Sequence, residues 1–135
     1  MSVLIDTNIL LDVALKRAPF YQASALALAK ARGHGETLLC AISVTTLHYF
    51  LRQKLGEKGA RLFVAQCLTA MTVVTVEKAT LQDALRSPMG DFEDGVIAQA
   101  ALVGSASLIL TRNTKDFIKS PVLAITPEDY LEKAS

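Results

Sequence analysis

Short apolar runs recur along the chain, and longer stretches with helical spacing separate them. Residues 2–5 read as a buried strand that stops at Asp6. Residues 8–15 then look helical, closed by Arg17, Ala18 and Pro19, because the residue before a proline disfavours helix. An alanine- and leucine-rich helix is expected over 20–32 and breaks at Gly33, His34 and Gly35. Residues 37–41 form a second candidate strand. Ser43 or Thr45 is placed to cap a helix that runs through Leu55 and ends at Gly56, with another helix over 58–70.

Thr72, Val73, Val74, Thr75 and Val76 are the densest β-branched run and predict a strand. Helices are expected over 78–86, before Pro88 and Gly90, and over 91–103. Residues 107–110 and 122–125 read as short strands around a polar turn. Thr126, Pro127, Glu128 and Asp129 supply a cap, a first-turn proline and first-turn acids for a last helix. Apolar strands alternating with helices imply an α/β fold whose central parallel sheet is covered on both faces, with sites gathered at the carboxyl ends of the strands.

Composition narrows the classes of function. A length of 135 residues suits one domain, here taken as 1–135. A formal charge of +1 gives no bulk electrostatic pull on nucleic acid, so such a partner must be held by a local patch or through metal ions. Cys40 and Cys67 lack metal-ligand or redox spacing and read as small buried hydrophobes in a reducing compartment. The start of the chain lacks a signal-peptide pattern, and no apolar run approaches the roughly 20 residues a membrane span needs. The expectation is a soluble cytoplasmic protein with no membrane partner.

Three groups carry candidate chemistry. Asp6 follows a strand directly, with Thr7 and Asn8 behind it; it fits a helix cap, a metal ligand or a general base. Asp91, Glu93 and Asp94 open a helix that is otherwise apolar. A cap at Asp91 and the helix dipole at Glu93 and Asp94 are the plain reading, and Asp91 fits that or a functional role; Asp94 differs, since it precedes Ile97, Ala98 and Ala101 by whole turns and so falls on the buried stripe. A core-facing acid needs a cation. The third group, Thr111, Arg112, Asn113, Thr114, Lys115 and Asp116, again follows a strand and reads either as a plain turn or as oxygen ligands flanked by charges for phosphate. Oxygen donors at three strand ends on one sheet edge suit Mg²⁺ or Mn²⁺ and metal-assisted phosphodiester hydrolysis.

The order of these motifs carries a resemblance. The run from Val3 to Asp12 resembles the opening of the PIN-domain family. Asp91 to Ala101, Leu110 to Phe117 and Ile125 to Leu131 are similar to its later motifs, in order and over nearly the whole chain. The family, and within it the VapC-type toxin ribonucleases, implies a three-layer α/β/α sandwich and a carboxylate pocket for Mg²⁺ or Mn²⁺. It also implies cleavage of RNA, homodimerisation and inhibition by a cognate antitoxin. The resemblance makes Asp6, Asp94 and Asp116 the catalytic metal-binding acids, with Asn113 as the alternative fourth position. It makes Asp91, Asn8, Thr46, Thr111 and Asn113 auxiliary, and gives Arg112 and Lys115 to RNA.

One position departs from the family pattern. Thr46 stands where many members carry glutamate, and Ser43 to Tyr49 contains no acid. His48 in that segment reads as a surface or packing residue. The departure motivates a second hypothesis, a weak or inactive PIN-like module that binds RNA or protein, with Arg52, Lys54, Arg61, Arg112 and Lys115 as basic candidates. Phosphoryl-transfer proteins with an aspartate after the first strand fit less well, since Asn8 occupies the place where a haloacid-dehalogenase-type phosphatase needs its second aspartate. Helix faces around Leu47 to Leu51 and Leu62 to Leu68 are candidates for an apolar dimer surface.

Overall fold

Strands β1 (Ser2–Ile5), β2 (Glu36–Cys40), β3 (Thr72–Val74), β4 (Leu108–Leu110) and β5 (Ala124–Ile125) pair in parallel, in the spatial order β3-β2-β1-β4-β5. The structure, a computed structural model, describes residues 1–133. The helices are α1 (Thr7–Leu15), α2 (Tyr21–His34), α3 (Ala41–Ala70), α4 (Lys78–Arg86), α5 (Phe92–Val103) and α6 (Pro127–Glu132). They cover both faces of the sheet, which is the three-layer α/β/α arrangement expected from the alternation of runs.

The two-residue period of the strands divides the core in two. Val3 and Ile5, with Leu39, Leu108 and Leu110, pack against α1, α2, α3 and α6. Leu4, with Leu38, Cys40, Val74 and Ile109, packs against α4 and α5. Because β1 is buried on both sides, its apolar run is continuous rather than alternating. Cys40 and Cys67 are buried free thiols, as expected, and burial pushes the Cys67 thiol up to about 11. Among the described residues no helix is long and apolar enough to cross a membrane.

Several expectations need correction. Neither Ser43 nor Thr45 caps a helix: α3 starts at Ala41, directly off β2, with Cys40 in extended backbone at the cap position. Ser43 is instead fully buried, and the Thr45 hydroxyl donates to the Ile42 carbonyl. Gly56 does interrupt the helix, with φ of 74°, a conformation that glycine adopts without Cβ strain; the second half resumes at once, without a separating loop. Thr75 and Val76 lie beyond the end of β3. Leu47 and Leu51 are fully buried and unavailable to a partner. The apolar residues that α3 does expose include Tyr49, Phe50, Leu55, Leu62 and Leu68.

Asp12 organises the region beneath the first helix. Its side chain is completely buried, where a lone carboxylate is costly, and it is matched by cations from two directions. Arg17 donates to Oδ1 at 3.1 Å, the Ser24 hydroxyl to Oδ2 at 2.9 Å, and Arg112 to both oxygens at 2.7 and 3.2 Å. The Arg112 guanidinium also lies 3.8 Å from the centroid of the Phe20 ring. This cluster ties α1 and α2 to the segment after β4. Removing the carboxylate strands two guanidinium groups and a hydroxyl, so Asp12→Ala is expected to cost about 3 kcal/mol. Urea denaturation should show a lower midpoint with an unchanged slope; a midpoint within error of the wild type would contradict this account.

Candidate active site at the carboxyl edge of the sheet

The chain winds outward from β1 through β2 to β3, then returns to place β4 on the other side of β1. The connecting helices after β1 and β2 lie on one face, and α4 and α5 on the other, so a crevice opens beyond the carboxyl ends of β1 and β4. Ile5 is in register with Leu110. Asp6 and Thr111, the next residues on each strand, therefore stand side by side.

Their contacts are specific. Asp6 is 6% exposed and caps α1, its Oδ1 accepting from the Thr7 amide at 2.8 Å. Its Oδ2 accepts from the Thr111 hydroxyl at 2.8 Å and from the Asn8 side-chain amide at 3.3 Å. Asn8 in turn accepts from the Arg112 backbone amide at 3.3 Å, and the Asn113 amide donates to the Thr111 hydroxyl at 3.1 Å. Asn8 and Thr111, the expected auxiliaries, thus orient the buried acid. Burial raises the Asp6 pKa, and the Thr111 hydroxyl and the Thr7 amide pull in the other direction.

The start of α5 supplies the opposing wall. Asp91 caps the helix by accepting from the Asp94 amide at 2.9 Å. Asp94 is half-buried, as its place on the apolar stripe implied. Desolvation first, then the charges of Asp91, Asp6, Asp116 and Glu93, push its carboxyl up to about 7. Glu93, placed by the helix dipole in the first turn, also reaches across the cleft, its Oε2 accepting from the Thr46 hydroxyl at 3.1 Å. No sequence signal points to that contact, because it joins helices on opposite faces of the sheet.

Asp6, Thr46, Asp91, Glu93, Asp94 and Asn113 line one open cleft of about 260 Å³. A larger one, about 480 Å³, adjoins it and is lined by Asp91, Asp94, Lys115, Asp116 and Lys119. Asp91 and Asp94 belong to both. Asn113 therefore faces the cleft of Asp6, while Asp116 faces Asp94 from the neighbouring cleft. Lys115 lines that second cleft as an exposed cation, whereas the Arg112 guanidinium is bound to Asp12. Arg52, Lys54 and Arg61 are exposed on α3, where Arg61 pairs with Glu57. His48 also pairs with Glu57, at 2.9 Å, and lines a groove with Val44, Val64 and Leu68 rather than the acidic cleft.

The residues present fit a hard divalent cation. All the side-chain donors around Asp6 are oxygens or amides, and Asp94 is held under electrostatic pressure by its neighbours. The Thr7 hydroxyl beside them is buried and has no hydrogen-bond partner among the described residues. Among those residues no three Asp, Glu, His or Cys side chains converge into a closed ligand cage.

Fold and site together define an α/β protein with an acidic cleft at the switch point of its parallel sheet. The family model described as PIN domain matches residues 2–115, and the chain belongs to that family. Among solved structures it is similar to a VapBC2 complex from Rickettsia felis bound to promoter DNA, at 15% identity and a TM-score of 0.73, covering 93% of this chain and 98% of that one. A toxin–antitoxin complex from Klebsiella pneumoniae matches at 23% identity and a TM-score of 0.72, over 93% and 97% of the two chains. VapC20 of Mycobacterium tuberculosis, described as a sarcin-ricin loop cleaving toxin, matches at 12% identity and 0.66, over 79% and 86%. No curated protein matches the chain in sequence.

The raised Asp94 pKa has a consequence for stability. Between the ordinary value of 3.8 and about 7, the folded carboxyl holds a proton that the unfolded one has released, so stability falls as pH rises through that window. Asn mimics the protonated acid. In metal-free protein, Asp94→Asn should melt higher than wild type at pH 8 and close to it near pH 4. An equal difference at both pH values, read by calorimetry, would show that Asp94 is not under this pressure.

Proposed function

We propose that this chain is a single-domain, Mg²⁺- or Mn²⁺-dependent endoribonuclease that hydrolyses RNA phosphodiester bonds as the toxin of a toxin–antitoxin pair. The observation that carries this reading is the cleft where Asp6, Asp91, Glu93 and Asp94 meet at the switch point of a PIN-family sheet. The solved toxin–antitoxin complexes of similar fold, and the RNA-cleaving VapC20, support it.

In this reading Asp6 and Asp94 hold the ion, with Asp116 adding negative charge from the adjoining cleft. The ion would supply Lewis acidity and charge neutralisation at the scissile phosphate. The chain's own residues do the rest. Thr111 and Asn8 fix the Asp6 carboxylate in one orientation, so it needs no reorganisation when substrate arrives. Asp91 caps α5 and so sets where Asp94 stands. Lys115 offers a phosphate contact beside the acids, and Arg112 acts on RNA only indirectly, by holding the segment that carries Thr111. The exposed apolar residues of α3 offer an interface to an antitoxin or a second copy, and the protein works in the cytoplasm.

A PIN-like binding module without activity is the second reading, favoured by the missing closed cage and by Thr46. Cleavage decides between them. Asp6→Asn and Asp94→Asn should each lower RNA cleavage at saturating Mn²⁺ by about 100-fold or more, with unchanged circular dichroism. Cleavage retained in both variants would remove the catalytic reading. Lys115→Ala should weaken RNA binding about equally across sequences and lower the salt slope by about 1. An unchanged slope would exclude Lys115 from phosphate contact.

A further inference from the structure

Beyond the acids the concave surface continues. The cleft of about 480 Å³ that Asp91, Asp94 and Asp116 line is also lined by Lys115, Ile118 and Lys119. Lys115 and Ile118 line a further cleft as well, of about 470 Å³, with Thr114 and Leu123. No acid lines that further cleft. From the cleft of Asp6 outward, an acidic, a mixed and an acid-free cleft thus follow one another along the segment after β4. We infer that they form a track for single-stranded RNA, which leaves the acids over the turn Thr114–Phe117, with Lys115 and Lys119 on its phosphates and Ile118 and Leu123 against its bases.

A single strand alternates phosphates with apolar base faces, and grooves that hold one combine cations with surface for the bases. Lys115 and Lys119 are exposed, and among the described residues neither makes an ion pair. Other basic side chains beside clefts are engaged: Arg112 binds Asp12, and Arg61, in the groove on α3, pairs with Glu57. With a formal charge of +1 the chain offers RNA no general attraction, so a local patch must hold it. Ile118 is 79% exposed and Leu123 64%. A scattered exposed apolar side chain is ordinary, but these two share a cleft with a lysine. Phe117 between them is buried and pins the turn to the core under α5, so the track needs no reordering when a strand arrives. Lysine is depleted at the centre of protein–protein interfaces, which favours RNA over a protein as the occupant.

The inference rests on the ribonuclease reading above, and the test separates the two. Binding of a fluorescein-labelled oligouridylate of about nine nucleotides is followed by anisotropy in EDTA, where a metal-dependent nuclease does not cut. Wild type is compared with Lys119→Ala, Leu123→Glu and Leu85→Glu, the last placing the same charge on exposed surface of α4 outside these clefts. All three side chains are exposed, so the core is untouched, and circular dichroism verifies the fold. Lys119→Ala should weaken binding about 5-fold or more at low salt and lower the salt slope by about 1. Leu123→Glu should weaken it at least as much, and Leu85→Glu by less than about 2-fold. Equal losses from Leu123→Glu and Leu85→Glu, or no loss from Lys119→Ala, would overturn the track, while Mn²⁺-dependent cleavage by wild type would keep the ribonuclease reading. If Leu123→Glu sediments as a smaller species than wild type yet binds the oligomer as tightly, this face is a contact between copies and the track is overturned. Wild type that neither binds nor cleaves RNA would overturn both.

Discussion

Ile5 pairs with Leu110 where the winding of the sheet reverses, and Asp6 and Thr111 emerge from that pair as neighbours. Most of the site follows from this register. A slip of β1 by one residue would turn Val3 and Ile5 to the α4–α5 face and carry Asp6 away from the Thr111 hydroxyl. The two packed cores on either side of β1 prevent the slip, because each is lined by alternate residues of the same strands. The packing that folds the protein also fixes the one buried carboxylate of the cleft.

Two aspartates near the ends of α1 show two ways to bury a charge. Asp12 is fully matched, by two guanidinium groups and a hydroxyl, and it stabilises the fold. Asp6 receives neutral donors only, and faces further carboxylates across an open cleft. The two are linked, since Arg112 binds Asp12 through its side chain while its backbone amide donates to Asn8 beside Asp6. The basic residue nearest the acidic cleft in sequence is thereby withdrawn from it. The cleft that Asp6 lines carries four carboxylates and no basic side chain, a lining that suits a hard cation.

The comparison with solved toxins rests on fold rather than on residues, since identities lie between 12% and 23%. At that distance the motifs at strand ends carry more of the argument than overall similarity does. Asp6, Asp91 and Asp94 line one cleft at the carboxyl edge of the sheet. Glu93 of the same motif joins them in the cleft, where its carboxylate accepts from the Thr46 hydroxyl of α3.

The sequence by itself determined the order of elements, the parallel two-faced sheet and the place of Asp6 at a strand end. These depend on local periodicity: continuous apolar runs for strands buried on both sides, and whole-turn spacing that put Asp94 on the apolar stripe of α5. The caps at Asp91 and Thr126 were legible for the same reason, as each bonds three residues ahead in its own helix. Only the tertiary structure decided the partners. Arg112 meets Asp12, Glu93 meets Thr46, and Leu47 and Leu51 turn inward rather than toward a second copy. It also decided that Asn113 faces Asp6 while Asp116 turns to the neighbouring cleft. Each of these depends on how elements far apart in the chain pack across the sheet, and the spacing of residues within one element carries no record of which surface will lie opposite.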